Sequence, residues 1–130
     1  MIQDVWDWDC ALIPAPRRQM TLREKQAVFL VMVSKLTAFM DAISKRGFVN
    51  EWYRTKERQA QLVAEKKSWT MNSKHIDGLA VDIILLKDGK PCWDAEEYKP
   101  LAEYWQKIGG TAGYFWKVVD AVHFEYKEAV

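Results

Sequence analysis

A chain of 130 residues, nearly half apolar and 28% charged, is most simply one soluble domain, long enough to bury roughly two-thirds of the surface that its unfolded form exposes. Nineteen basic side chains against eighteen acidic ones leave a net charge of +1. That balance gives no electrostatic footprint for nucleic acid or an anionic membrane surface. Two cysteines, Cys10 and Cys92, are too few for a disulfide framework and lack the close-spaced partners of a metal knuckle. They read as buried thiols, with a single disulfide as the alternative.

The chain starts Met1-Ile2-Gln3-Asp4-Val5-Trp6-Asp7-Trp8-Asp9, acidic and aromatic, without the basic start and apolar stretch of a secretory signal. The longest apolar run, Ala27 to Val33, is too short to span a bilayer, so a soluble protein without stable membrane insertion is expected. Residues 1–20 read as an N-terminal arm of unassigned role in a single domain covering 1–130. Thr21 with Glu24 three positions on forms a capping box, and the apolar residues Val28, Val31, Met32, Leu36, Phe39, Met40 and Ile43 recur at three- and four-residue steps. The spacing predicts an amphipathic helix over 21–46 with Gly47 as its C-cap. A short strand is expected over 48–53, and Thr55 caps a second helix reaching about Lys66. Residues 68–78 are polar and irregular, hence a loop. A strand rich in β-branched residues follows over 79–86, and Asp88-Gly89 is a hairpin signal. A last helix starts near Pro100 and stops before Gly109-Gly110, and 118–126 reads as the closing strand. This order lacks regular βαβ alternation, so the expected class is α+β with a small antiparallel sheet packed against helices.

The chemistry concentrates in Ser73-Lys74-His75-Ile76-Asp77-Gly78-Leu79-Ala80-Val81-Asp82 and in Asp120-Ala121-Val122-His123. A zinc enzyme needs neutral imidazole and carboxylate ligands, usually three, with a fourth position open. His75, Asp82 and His123 supply such a set, which leaves Asp120 as a base. The spacings are odd, and in an unbroken strand each pair would point to opposite faces. A shared site therefore demands irregular backbone twice: a turn at Gly78, and a bend between Asp120 and His123. The plainer alternatives are a solvated His75, a strand histidine satisfied by neighbours and a turn carboxylate.

Taken together, Ser-x-His-x-x-Gly-x-Ala-x-Asp (73–82) and Asp-x-x-His-Phe-Glu (120–125) resemble the metal-binding signature of the D-Ala-D-Ala carboxypeptidase and L-alanyl-D-glutamate endopeptidase family, zinc peptidases of peptidoglycan stem peptides that include many phage endolysins. The run 109–116, Gly-Gly-Thr-Ala-Gly-Tyr-Phe-Trp, resembles the loop before the second motif in the endolysins. Tyr53-Arg54-Thr55-Lys56-Glu57-Arg58-Gln59 resembles the family's Tyr-Arg-Thr-x-x-Arg-Gln segment. The residue before that tyrosine is commonly glycine in the family and is Trp52 here, which is expected to alter the local turn. The resemblance spans about residues 21–126.

It implies a hedgehog/D-Ala-D-Ala peptidase-like fold with the zinc site at the sheet. It implies that His75, Asp82 and His123 hold Zn2+, that Asp120 takes a proton from the attacking water and returns it to the leaving amine, and that Arg54, then Arg58, binds the substrate carboxylate. Both L-Ala-D-Glu and D-Ala-D-Ala present a free planar anion after the scissile bond, which a guanidinium fork suits. Surface solvation is the alternative for Arg58. Ser73 is a substrate hydrogen-bonder or a loop cap. Trp69, Trp93 and Trp116 are candidates to shape a groove, whereas Trp105 is expected in the core. The implied function is a zinc-dependent endopeptidase cutting L-Ala-D-Glu and lysing the host cell. A D,D-carboxypeptidase or dipeptidase, or a non-catalytic wall-binding module, is the alternative. The expected partner is the stem peptide and the expected state a monomer. Without a signal peptide, the protein is expected in the host cytoplasm until released to the wall. With no room for a wall-binding domain, a thin Gram-negative wall is the expected target.

Overall fold

The computed structural model describes residues 19–128; the arm proposed at the N-terminus and Cys10 lie almost wholly outside them. The elements, in chain order, are α1 (Leu22–Ala42), β1 (Arg46–Glu51), α2 (Lys56–Ala64), β2 (Ala80–Lys87), β3 (Lys90–Pro91), a 3-10 turn (Ala95–Tyr98), α3 (Lys99–Lys107), β4 (Thr111–Ala112), a second 3-10 turn (Gly113–Phe115) and β5 (His123–Glu125). The class is α+β, and every strand pairing is antiparallel. The sheet runs β1-β2-β5-β4, with β3 completing a hairpin on β2. No described helix is long and apolar enough to cross a membrane.

The capping box at Thr21 forms as expected: Thr21 Oγ1 accepts from Glu24 N, and Thr21 N donates to Glu24 Oε1 at 2.8 Å. The helix stops four residues earlier than its apolar spacing predicts. Ser44 takes the left-handed conformation (φ 60°), and the amides of Ser44 and Lys45 return to Asp41 O and Met40 O. That closes the helix with a serine where glycine is usual. Gly47 instead lies inside β1 opposite Leu85, where a Cβ would meet Ile84 O at 2.7 Å. The buried stripe of α1 is Phe29, Met32, Val33, Leu36 and Met40, rotated from the predicted one, so that Ile43 is exposed. Phe39, half-buried, stacks on Tyr104 of α3 at 4.3 Å.

β2 is the central strand. Val81, Ile83 and Leu85 point into the core shared with α1, α3 and Phe124, while Ala80, Asp82 and Ile84 take the other face. Asp88 (φ 53°) and Gly89 (φ 76°) form the predicted hairpin turn into β3. Cys92 is a buried free thiol beside that hairpin. Trp105 is fully buried, as expected, and donates to Glu125 O at 3.0 Å. The closing strand is much shorter than its β-branched residues suggest, and Val118 and Val119 are exposed in a loop.

Tyr98 fastens the hairpin to the core: its hydroxyl accepts from Leu85 N at 2.9 Å and donates to Cys92 O at 2.7 Å. Removing it strands a buried donor and a buried acceptor, so Tyr98→Phe is expected to cost about 1–3 kcal/mol, read as a fall in the urea midpoint at unchanged slope.

Candidate metal centre and substrate cleft

Asp82 and His123 are directly opposed residues of the β2–β5 ladder, so their side chains leave the same face of the sheet. On the other side of β2, Glu51 is the partner of Asp82, brought there by a bulge between Val49 and Glu51. A row Glu51–Asp82–His123 thus crosses three strands. His75 reaches the row from a compact turn over 74–78, closed by Gly78 at φ 68°. Another turn, with His123 N donating to Asp120 O at 3.2 Å, separates Asp120 from β5. The odd spacings are therefore accommodated by the two irregular segments that a shared site requires.

Trp52 anchors the His75 turn. Its carbonyl takes His75 Nδ1 at 2.8 Å, its indole donates to Gly78 O at 3.3 Å, and its ring packs edge-on against Phe29. Arg54 N adds a bond to His75 O at 2.9 Å. Trp52, expected to alter the local turn, is a structural clamp on it.

The ligand atoms of His75, Asp82 and His123 all lie within 4.8 Å of one another. Asp82 Oδ1 faces His75 Nε2 and His123 Nδ1, each at 3.2 Å, and both rings are buried. A carbonyl only accepts, so His75 Nδ1 donates to Trp52 O, and Nε2 is the ring atom turned toward Asp82. His123 Nε2 likewise meets Glu125 Oε1 at 2.8 Å, leaving Nδ1 for Asp82. The two imidazole nitrogens and the carboxylate oxygen that converge in this buried space are a donor set that a divalent metal ion fits once His123 gives up its proton, and the Trp52 carbonyl and Glu125 orient the two rings.

The two aspartates titrate in opposite directions. Burial alone would raise Asp82, but hydrogen bonds from His123 and His75 outweigh it and hold the carboxyl at about 2. Asp120 is pushed upward, chiefly by burial and also by the Asp82 charge, against the pull of His123, His75 and Arg54. Burial likewise opposes charge on His123, yet the Asp82 and Glu125 carboxylates win and raise the imidazole to about 9.

These groups line one cleft of about 770 Å3, together with Arg54, Arg58, Ser73, Trp69, Trp116 and the exposed Val118 and Val119. Trp93 does not line it, contrary to expectation. Arg54 is nearly buried: Nε pairs with Glu51, while Nη1 donates to Gln59 Oε1 at 2.7 Å and to Ser73 Oγ at 3.4 Å. Ser73 Oγ also accepts from His75 N at 3.2 Å, which is the loop-capping alternative. Arg58 is exposed on α2, with Gln61 Oε1 at 3.4 Å. Gly113 lets the 113–120 segment fold back on the site: a Cβ there would meet Asp120 O at 2.4 Å and His123 Cβ at 3.2 Å. Gln59, Gly113 and Glu125 stand in the motifs read from the sequence without an assigned role, and Glu51 and the Trp52 carbonyl escaped that reading. Only Glu125 was accessible to it, because two residues beyond His123 on a strand means the same face.

Two expectations follow. Metal uptake near pH 7 must displace the His123 proton, so about one proton is released per ion bound and apparent affinity climbs toward pH 9, as calorimetry in buffers of different ionisation enthalpy would show. Gly113→Ala displaces His123 and Asp120 together and should weaken metal binding roughly ten- to a hundredfold, measured by chelator competition.

A family model described as D-alanyl-D-alanine carboxypeptidase matches residues 66–126, the part that contains His75, Asp82, Asp120 and His123. The fold is similar to that of the crystal structure of the Serratia marcescens L-Ala D-Glu endopeptidase ChiX, with a TM-score of 0.68 and 24% sequence identity over 82% of this chain and 83% of that one. No curated protein matches by sequence. The model match across the metal-site half and the shared fold around it support the family that the motifs resemble, the D-Ala-D-Ala carboxypeptidase and endopeptidase family of metallopeptidases.

Proposed function

We propose that this chain is a zinc-dependent peptidoglycan endopeptidase of the endolysin type, hydrolysing the L-Ala-D-Glu bond of the stem peptide. The observation that carries the reading is one cleft holding three kinds of group at once: the His75–Asp82–His123 donor set, a carboxylate whose pKa is raised, and a nearly buried arginine. The 109–116 loop, similar to that of endolysins, supports the biological setting. Zn2+ held by His75, Asp82 and His123 would polarise the scissile carbonyl and make its attacking water acidic at neutral pH.

The chain's own residues supply the rest. Asp120 would take a proton from the attacking water; it lines the same cleft, and its upward shift moves it toward the operating pH, which is what an effective general base needs. The same carboxyl then delivers the proton to the departing amine of D-Glu. Arg54, pinned by Glu51 and Gln59 through Nε and Nη1, offers its Nη2 amino group to the α-carboxylate of D-Glu. Trp116 lies against His123, ring centres 5.0 Å apart, and with Val118 and Val119 forms an apolar wall that limits water on that side.

A carboxypeptidase must close the space beyond the terminal carboxylate. Here the cleft continues past Arg54 along α2 to Arg58, Leu62 and Lys67, which favours an endopeptidase with more chain beyond the anion. Mass spectrometry of muropeptides from sacculi treated with zinc-loaded protein tests this. New D-Glu amino termini are expected. Loss of terminal D-alanine would mark a carboxypeptidase, and no cleavage with metal bound would mark a binding module. Asp120→Ala should keep its metal and lose at least ~100-fold in turnover, and a fully active variant would assign the base elsewhere.

A further inference from the structure

Resting on that reading of Arg54, we infer that Gln59 is the positioning residue that aims the Arg54 guanidinium at the substrate's carboxylate and ties it to the rim of the cleft. Gln59 is 0% exposed, and α2 buries only it and Leu62. An amide in such a place is costly unless its hydrogen-bonding capacity is used, and here it is used on the site. Its Nε2 donates to Thr70 O and to Ser68 Oγ at 2.8 Å, and its Oε1 accepts from Arg54 Nη1 at 2.7 Å. The orientation of the amide is not free. Thr70 O can only accept, so the NH2 must face it, and the oxygen is left facing the arginine, which can only donate.

The consequence is mechanical. Glu51 fixes one edge of the guanidinium through Nε, but a single contact leaves the plane free to rotate about it. Gln59, with weaker help from Ser73, supplies the second contact, and two contacts together with the side chain's own stem fix the plane. The same side chain holds residues 68–70, the segment that places Trp69 in the cleft wall. Gln59 touches no substrate and is not catalytic. It sets the direction in which the Nη2 amino group of Arg54 meets a carboxylate, and a charge-assisted hydrogen bond depends on that direction.

The test compares two stem peptides, identical except that the D-Glu α-carboxylate is free in one and amidated in the other. Wild-type protein is expected to prefer the free acid. In Gln59→Leu, kcat/KM for the free acid should fall about ten- to a hundredfold, the amidated peptide should be affected far less, and metal content should stay stoichiometric. A merely structural role would depress both substrates alike, and a preference surviving intact in Gln59→Leu overturns the inference alone. A wild-type protein indifferent to amidation refutes the Arg54 reading and takes this inference with it. A measurement that needs neither a substrate nor the variant is the 15N spectrum of the arginine side chains. A pinned Arg54 gives separate, slowly exchanging Nη signals, whereas a freely rotating guanidinium in the wild-type protein also overturns the proposal.

Discussion

The arrangement of the site depends on one register: Asp82 opposite His123 in the β2–β5 ladder. An antiparallel pair puts directly opposed side chains on one face, about 5 Å apart. That contact exists only while β2 and β5 stay in phase, and a slip of one residue would turn His123 into the core and Phe124 into the cleft. The register is held from the core side, where Val81 and Phe124 are buried partners on the opposite face of the same two strands. Hydrophobic burial therefore sets the position of the donor atoms, and the polar residues need little rigidity of their own. The elements added to this pair each deliver one group: the 74–78 turn brings His75, the β1 bulge brings Glu51, and the 113–120 segment brings Asp120.

Two carboxylates within one cleft are driven apart by their surroundings. Asp82 is embraced by two imidazoles and stays ionised, as a metal ligand must. Among the described residues no comparable close donor acts on Asp120, and burial and the Asp82 charge disfavour its ionised form. Opposed environments of this kind are how a single site holds one permanent anion and one group able to exchange a proton. The distinction is made by neighbours, since the two side chains are chemically identical.

Much of this was legible in the sequence, and the reasons it was or was not are local. Thr21 with Glu24, Thr55, and Asp88-Gly89 encode their structure within four residues, and all three do in the protein what their chemistry dictates. The donor set was readable because metal ligation needs few residue types. The helix end was misread because Ser44 accepts a left-handed conformation usually left to glycine, and the nearby glycine is needed elsewhere for strand contact. Val118 and Val119 have the composition of a strand but find no strand neighbour; the amide of Asp120 is drawn to Gly113 O instead. The contact of the Trp52 carbonyl with His75 spans 23 residues and no spacing records it, and the link of Gln59 to Arg54, only five residues apart, depends on the turn that α2 makes between them.

The protonated His123 between Asp82 and Glu125 has a bearing on how the protein matures. A small zinc domain commonly cannot fold until its ion arrives, because nothing else resolves the repulsion among its ligands. In this chain a proton already does that task, and the cluster closes on it at full hydrogen-bond contact. The hydrogen bonds that join His75, Asp82, His123 and Glu125 thus gather the donor atoms within 4.8 Å of one another as part of the folded chain itself.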